Sequence, residues 1–216
     1  MSATMVGPDG KSRCRWCGAA PAFLDYHDTE WGFPVSDDRR LFEKLSLESF
    51  QSGLSWRTIL AKRENFRAVF HDFDFDRIAR FTQRDLDRLL KDEGIVRHRG
   101  KIEAVINNAR RAQERVKREG SLAAFIWRYE PDIKPLAKPR TASTSAASIA
   151  LSKDLKKLGW KFLGPTTVYA FMQAMGLIND HVEDCVIRAE VERARARFSA
   201  DQGADVRSAD KVRRLA

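Results

Sequence analysis

Apolar residues recur three and four positions apart along most of the chain, and no other feature of the sequence restricts its fold as strongly. This spacing places them on one face of an α-helix, and that face has to be buried against another element. Capping signals divide the pattern: Thr82 with Asp85 forms a capping box, and Gly120 ends the longest periodic run. No segment shows the convincing alternation that is typical of a strand. The sequence therefore predicts an all-α fold of several short amphipathic helices.

Other predicted helix starts and stops follow the same rules. Asp37 or Asp38 is expected to cap a helix, and Ser148 is expected to begin another. Pro165 suits the first turn of a further helix, because its fixed φ is already helical and its missing N–H is not needed there. Gly176 is expected to end that helix.

Composition sets the expected domain organisation and excludes several classes of protein. It predicts a disordered extension at 1-12, a helical domain at 13-190, a basic tail at 191-216 and a loop between 131 and 147. The 216 residues, 43% of them hydrophobic, suffice for one core. No apolar run approaches the about 18 residues of a membrane span, and the N-terminus lacks the apolar stretch of a secretory signal. Three cysteines favour a reducing intracellular compartment over a disulfide framework.

The charge balance indicates an anionic partner. The 39 Lys and Arg residues outnumber the 30 Asp and Glu residues, which gives a formal net charge of +9. Nucleic acid is the first partner that a basic surface favours, and membrane headgroups are the second. A solvated basic surface without a partner explains the charge equally well, so charge alone leaves the question open.

Cysteine and histidine residues near the two ends of the chain are candidate metal ligands. His181 and Cys185 are four positions apart, which would place both on one face of a helix. Cys14, Cys17 and His27 lie near the other terminus. Two Cys and two His make a closed tetrahedral zinc site, which would join the two termini. The alternative is that Cys185 is a small buried apolar residue and His27 a hydrogen-bonded core histidine.

Two segments suit DNA phosphates. One is a cluster of three cations at the predicted start of the longest helix: Arg97, Arg99 and Lys101. The other is the turn at Gly164 between two predicted helices, a helix-hairpin-helix arrangement whose backbone N–H groups can hold a phosphate, with Lys161 and Thr166 beside it. Leu54, at the tip of another turn, is a candidate wedge for the gap that a flipped base leaves. Each feature alone also fits a solvated surface, an ordinary helix turn or, for Leu54, a core leucine.

Glu48 lies on the apolar stripe of its predicted helix, three positions after Leu45. A carboxylate there is costly to bury unless it has partners or a task. Aromatic residues are close to it in the chain: Trp16, Phe23, Tyr26, Trp31 and Trp56. Rings that stack and one acceptor for an exocyclic N–H suit a pocket for a flat heterocyclic base. The alternative is a glutamate at the edge of the core, paired with an arginine.

Several long strings of residues occur in one order and resemble the DNA-3-methyladenine glycosylase I family. They are Arg-Cys-x-Trp at 13–16, Tyr-His-Asp-Thr-Glu-Trp-Gly at 26–32, Gln-Ser-Gly-Leu-Ser-Trp at 51–56, Lys-Arg-Glu-Asn-Phe-Arg at 62–67, Arg-His-Arg-Gly-Lys-Ile at 97–102 and Asn-Asp-His-Val at 179–182. The resemblance covers the chain from Arg13 to about Cys185. It implies an all-α fold of the helix-hairpin-helix DNA glycosylase superfamily, in which a zinc site joins the N- and C-terminal segments.

The resemblance also implies roles for individual residues. The family's ligands for one structural Zn²⁺ per chain correspond to Cys14, His27, His181 and Cys185, with Cys17 outside the set. Its base pocket corresponds to Tyr26, Glu48 and Trp56, with Trp16 lining it and Phe23 where a relative has Tyr. Asp180 lies near the position of the superfamily's catalytic Asp, which this family lacks, and is not expected to be the catalyst.

The activity implied is base-excision repair of double-stranded alkylated DNA in the bacterial cytoplasm, at the nucleoid. The enzyme would flip N3-methyladenine, bind it with Glu48 as the catalytic residue, and let water cleave the N-glycosidic bond. An abasic site would remain, with no lyase activity, and a monomer is expected. The alternatives are a zinc-stabilised DNA-binding helical protein without catalysis and an RNA- or nucleotide-binding helical module.

Overall fold

Most helices begin and end where the sequence predicts. The computed structural model describes residues 3–131 and 142–198. Its helices are α1 (Pro21–Thr29), α2 (Asp38–Gln51), α3 (Trp56–Ala61), α4 (Arg63–Val69), α5 (Phe75–Ile78), α6 (Gln83–Lys91), α7 (Arg99–Glu119), α8 (Leu122–Ile126), α9 (Ala146–Lys157) and α10 (Pro165–Ala174). Short 3-10 helices occupy Arg15–Ala19 and Trp127–Tyr129, and residues 188–198 are also helical.

The capping residues act as predicted at three helix ends. Asp37 accepts a hydrogen bond of 2.8 Å from the Arg40 amide and so begins α2. The capping box of Thr82 and Asp85 begins α6. Gly120 ends α7 with a φ of 89°, a left-handed conformation that suits glycine.

Helix α9 begins earlier than predicted. Ser145 is its N-cap, and Ser148 occupies the third helical position, where the two serines form a capping box. The prediction that Ser148 begins the helix was therefore wrong by one turn, because Ser145 offers the same hydroxyl acceptor in front of it. Part of the predicted loop, residues 132–141, lies outside the described residues.

The N-terminal segment forms two strands, which the sequence analysis missed. Strand β1 (Thr4–Val6) pairs antiparallel with β2 (Ser12–Cys14), with Thr4 opposite Cys14. Arg13 fixes the hairpin because its guanidinium bonds Asp9 at 2.6 Å and Asp28 of α1 at 2.8 Å. The predictions of a strand-free chain and of a disordered extension at 1-12 were therefore wrong for residues 3–12. Strands of three residues are too short to show a sequence alternation.

The predicted tail is part of the fold up to residue 198. Val191 is fully buried, and Arg195 pairs with Glu130 at 2.8 Å. The ring of Phe198 lies 4.4 Å from that of Trp127. The prediction that 191-216 lies outside the core was wrong for 191–198, because a few well-placed side chains suffice to attach a helix. Residues 199–216 lie outside the described residues.

The helices enclose a main apolar core. Side chains of α2, α7 and α10 that are fully buried form its centre: Leu41, Phe42, Ile102, Val105, Phe171 and Met172. Helix α10 packs against α9 and α2, and α7 packs against α5. None of the described helices is both long and apolar enough to cross a membrane.

Replacing Phe198 with alanine is expected to lower the free energy of unfolding by about 1–2 kcal/mol, because the ring packs on Trp127 and is only partly exposed. Urea denaturation followed by circular dichroism measures the change. Arg197→Ala is the control, since Arg197 is exposed. Equal midpoints for the Phe198→Ala and Arg197→Ala proteins would show that the helix at 188–198 does not stabilise the domain.

Candidate active site and metal centre

A cavity of about 370 Å³ opens where the N-terminal hairpin, α1, α2, α3 and α10 meet, and its volume lies in the range of small-molecule pockets. Four aromatic residues, one carboxylate of α2 and several polar groups form its walls. These residues include Arg15, Trp16, Tyr26, Trp31, Glu48, Gln51, Trp56, Gln173 and Asp180. The structure therefore brings together Trp16, Tyr26, Glu48 and Trp56, four of the five residues predicted for the base pocket.

Phe23 is the predicted base-pocket residue that does not line the cavity. It is buried behind Trp16, and the two ring centroids are 5.9 Å apart in an edge-to-face arrangement. The cavity wall includes Trp16 and does not include Phe23, so a direct contact between Phe23 and a base stays a prediction. Phe23 instead fixes the orientation of that indole.

Glu48 is buried together with a lysine that the sequence analysis did not single out. The Glu48 carboxylate lies 2.8 Å from the Lys44 ammonium, one helical turn earlier in α2. Lys44 also donates a hydrogen bond of 2.8 Å to the Tyr26 hydroxyl, and its nitrogen lies 3.4 Å from the centre of the Trp56 ring. Although burial lowers the pKa of Lys44, Glu48 and Tyr26 raise it above its ordinary value. Lys44 is thus a charged partner for Glu48.

The Tyr26 hydroxyl and Asp180 are two further polar groups of the cavity wall. Burial raises the pKa of Tyr26, with Lys44 acting in the opposite direction, so the hydroxyl keeps its proton. Asp180 lies across the cavity and accepts hydrogen bonds from Tyr169 and Gln173. These bonds give Asp180 a structural role in holding the loop after α10.

Four side chains from the two ends of the chain form a buried cluster beside the cavity. Their ligand atoms all lie within 4.8 Å of one another: Cys14, His27, His181 and Cys185. The two ring nitrogens are 3.1 Å apart, and three sulfur–nitrogen separations are 3.4, 3.5 and 3.6 Å. Bonds of about 2.0–2.3 Å at tetrahedral angles correspond to separations of about 3.3–3.8 Å. The three sulfur–nitrogen separations lie in this range, and the nitrogen–nitrogen separation is slightly shorter. The cluster can therefore hold a metal ion.

Outer partners orient both histidines of this cluster. His27 bonds Asp28 through Nδ1 at 2.7 Å, and His181 bonds the Trp31 carbonyl through Nε2 at 3.0 Å. Each histidine therefore presents its other nitrogen to the cluster, as metal-bound histidines do. Although burial raises the pKa of Asp28, hydrogen bonds from Arg13 and His27 lower it, so Asp28 is a charged acceptor.

Cys14 and Cys185 belong to the buried cluster, whereas Cys17 lies outside it, as the family resemblance implies. Cys14 lowers the pKa of Cys185 by a hydrogen bond, against the effect of burial, and His181 and His27 lower it further. Cys17 is buried outside the four-residue cluster, and burial raises its pKa to about 11. A thiol is therefore favoured at Cys17.

The predicted cation cluster divides into two exposed side chains and one buried one. The side chains of Arg97 and Arg99 are 50% and 54% exposed. Lys101 is buried, donates a bond of 2.8 Å to the Phe50 carbonyl and also donates to that of Ser52. Lys101 therefore satisfies carbonyl groups at the end of α2, and its ammonium does not share the exposed surface of Arg97 and Arg99. Two positions along a helix turn a side chain through about 200°, so Arg99 and Lys101 point in opposite directions.

Helix α7 holds the predicted DNA-contacting segments close together. Through Lys101 it anchors the turn that presents Leu54, which is 43% exposed. Asn108 bonds both the amide and the carbonyl of Lys161, at 2.9 and 3.0 Å. The ring of His98, the N-cap of α7, contacts that of Phe162.

The helix turn before α10 is open to solvent at its tip. Gly164 is the N-cap of α10, and Pro165 is in its first turn, as predicted. Lys161, Gly164 and Thr166 are exposed, so the first amides of α10 and a neighbouring cation are available to an anion. Arg97, Arg99 and this turn thus form one surface at the start of α7.

Comparison with known proteins assigns the family. A model of the methyladenine glycosylase family matches residues 16–189. The chain belongs to this family. It is 46% identical over 177 residues to DNA-3-methyladenine glycosylase 1 of Escherichia coli (strain K12), a match that covers 80% of this chain and 95% of that protein.

Solved structures of methyladenine glycosylases share its fold. A crystal structure of 3-methyladenine DNA glycosylase I superposes with a TM-score of 0.76 at 46% identity and covers 81% of this chain and 98% of that one. A variant of such an enzyme in complex with 3-methyladenine superposes with a TM-score of 0.74 at 40% identity and covers 79% and 94% of the two chains.

Sequence reasoning on this methyladenine glycosylase missed Lys44 and the polar residues on the far wall of the cavity. A signal for Lys44 was present, because Lys44 and Glu48 are four positions apart on one face of α2. Gln51 carries a similar signal, because it lies three positions after Glu48 on α2. No comparable pattern marks Arg15 or Gln173, whose positions depend on how separate elements pack.

Proposed function

We propose that this methyladenine glycosylase excises 3-methyladenine from alkylated double-stranded DNA in base-excision repair. The observation that carries the proposal is the buried Glu48 carboxylate in the wall of an aromatic cavity. The residues of the proposed site belong to one chain, and a monomer remains the expected state. Its substrate would place the protein at the bacterial nucleoid.

The cavity suits a flipped, positively charged base. Methylation at N3 gives adenine in DNA a positive charge, and the rings of Trp16, Tyr26 and Trp56 offer surfaces that attract a flat cation. Glu48 can accept a hydrogen bond from the exocyclic amine and stabilises the positive charge. Normal adenine has the same purine rings without the methyl group and without the charge, so Glu48 favours the damaged base over it.

The reaction needs little from the protein beyond this binding. The bond between the base nitrogen and C1′ breaks, its electron pair stays with the base, and the positive charge on the base is thereby neutralised. The oxygen of a water molecule forms the new bond to C1′ and gives up a proton, which leaves an abasic site. Because the alkylated base is already a good leaving group, holding it and the sugar in place accounts for most of the catalysis.

A hydrolytic reaction without strand cleavage agrees with the lining of the cavity. A lyase requires a lysine amine that attacks C1′. In the described part of the chain no lysine lines the cavity. Lys44 is the nearest candidate, but it is protonated and donates to Glu48 and Tyr26. Its nitrogen therefore has no lone pair with which to attack the sugar.

Structural zinc is the metal that fits the buried cluster best. Two thiols and two imidazoles are the donors that zinc prefers, and four protein ligands leave no open position for water. The cluster joins β2 and α1 to the segment that follows α10. Cys14 and Val182 also line the cavity, so the metal would stabilise the wall of the base pocket.

DNA would bind on the surface at the start of α7, in a helix-hairpin-helix mode. Arg97, Arg99 and Lys161 supply cations, and the amides after Gly164 supply neutral donors for one phosphate. Leu54 projects from the turn next to the cavity and can fill the space of the flipped base.

Replacing Glu48 with glutamine or alanine is expected to slow release of 3-methyladenine from methylated DNA. One charged hydrogen bond is lost, which corresponds to about 1–3 kcal/mol, and alanine should lose more than glutamine. Chromatography of the released bases measures the rate. Asp87→Asn is the control, because this carboxylate of α6 is exposed and does not line the cavity.

Two results would contradict this proposal. Binding of DNA by the native protein without base release would indicate a zinc-stabilised DNA-binding protein. Unchanged release by a folded Glu48→Ala protein would assign Glu48 to a structural ion pair with Lys44.

About one zinc ion per chain is expected in the purified protein, and Cys185→Ala should abolish it. Elemental analysis measures the metal, and thermal denaturation measures the accompanying loss of stability. Cys17→Ala is the matched control, because Cys17 is also buried but lies outside the cluster. A stable native chain without bound metal would overturn the assignment.

Removing Arg97 and Arg99 together should weaken binding to all DNA sequences alike. Each lost phosphate contact makes the slope of log K against log salt concentration shallower by about 0.9. Fluorescence anisotropy at several salt concentrations measures the slope. Lys101→Met should leave the slope unchanged, because its ammonium binds carbonyl groups inside the protein. An unchanged slope in the Arg97 and Arg99 variant, with a shallower slope in Lys101→Met, would show that the docking surface lies elsewhere.

A further inference from the structure

We infer that Lys44 is a positioning residue that sets the hydrogen-bonding pattern of the base pocket, with Glu48 held as an acceptor and the Tyr26 hydroxyl held as a donor. This arrangement would make the pocket selective for an adenine edge over a guanine edge. The inference rests on the proposed function of the cavity. It concerns a residue behind the cavity wall, which does not touch the base.

The position of Lys44 explains how it can act on both groups. Lys44 does not line the main cavity, whereas Tyr26, Glu48 and Trp56 do. It lies on the other side of Tyr26 and Trp56, beside a smaller cavity that Glu43 and Arg67 also line. A bound base would therefore meet the Glu48 carboxylate and the Tyr26 hydroxyl, with the ammonium behind both.

The donor inventory of lysine fixes the roles of its partners. An ammonium group has three donors and no acceptor, so both oxygens that contact Lys44 have to accept from it. The Tyr26 oxygen accepts at 2.8 Å, and its own hydrogen is therefore directed to a different acceptor. One Glu48 oxygen lies 2.8 Å from the ammonium and accepts from it, which favours the carboxylate as an acceptor. The cavity thus offers one donor beside one acceptor.

This pair of groups matches one purine edge and opposes another. Adenine presents an exocyclic N–H donor next to the ring-nitrogen acceptor N7, whereas guanine presents two acceptors, O6 and N7. The Glu48 carboxylate can accept from the adenine amine while Tyr26 donates to the ring nitrogen. A guanine O6 would face the carboxylate with no hydrogen between them. Such a mismatch leaves buried polar groups unpaired, which is costly.

The charge of Lys44 also compensates for the burial of the Glu48 carboxylate. The other charged and titratable residues that line the cavity with Glu48 are Tyr26, Cys14, Arg15 and Asp180. Beyond them, Glu30 is already paired with Arg63 at 2.8 Å. Lys44 is the cation in direct contact with the carboxylate. Without it, the buried carboxylate would lose its direct cationic partner, and a buried charge without a partner is costly.

The test compares native protein with Lys44→Met and Lys44→Gln on DNA that contains both 3-methyladenine and 3-methylguanine. Methionine fills a similar volume without donors, and glutamine keeps an N–H donor without the charge. The released bases are separated and their kcat/KM values are measured between pH 5 and pH 8. Lys91→Met is the surface control, and zinc content and thermal denaturation verify that each variant is folded.

We expect the ratio of 3-methyladenine to 3-methylguanine release to fall at least tenfold in Lys44→Met. We also expect its activity to decline on acidification at a higher pH than native activity does, because the Glu48 carboxylate then lacks its cationic partner. Lys44→Gln should show the same pH change with a smaller loss of selectivity, which keeps the test decisive if Lys44→Met does not fold.

Two outcomes separate this inference from the proposed function. Release of neither base by the native protein would contradict the proposed function itself. A native protein that releases 3-methyladenine, with folded Lys44 variants whose ratio and pH profile are unchanged, would overturn the inference alone. Lys44 would then have only a structural role in the core.

Discussion

The meeting of Cys14, His27, His181 and Cys185 is the constraint on which the rest of the site depends. Cys14 and His181 are 167 positions apart, yet their ligand atoms are 3.6 Å apart. The same contact brings β2, α1 and the segment after α10 around one cavity. The pocket wall is therefore composed of both ends of the chain. Anything that opens the cluster would separate Trp16 and Tyr26 from Asp180 and Val182.

The sequence predicted those helix ends that are determined by residues within one helical turn. The capping box of Thr82 and the glycine stop at Gly120 act within one turn of helix, and both were correctly placed. The burial of Glu48 followed from its place on the stripe of Leu45. The hairpin at Thr4–Cys14 was missed because ion pairs with the distant Asp28 hold Arg13 in place. A contact between residues as far apart in the chain as Arg13 and Asp28 leaves no pattern in the local sequence.

Whether a lysine or arginine is exposed or buried also depends on how the helices pack, and the local sequence does not show it. Arg99 and Lys101 belong to one basic string, but α7 turns one toward solvent and the other into the protein. Lys44 and Lys101 both became internal donors, to Glu48 and Tyr26 in one case and to the end of α2 in the other. A net charge of +9 leaves the partner open, whereas the structure distinguishes cations that are exposed from those that hold the pocket.

A crystal structure of the zinc-bound protein with free 3-methyladenine tests the central claim most directly. The account predicts the base in the cavity between the aromatic rings, its exocyclic amine on Glu48 and a ring nitrogen facing the Tyr26 hydroxyl. It also predicts that Lys44 still contacts both side chains from behind. A base that binds without touching Glu48 or Tyr26, or a Lys44 ammonium turned into the cavity, would contradict the account.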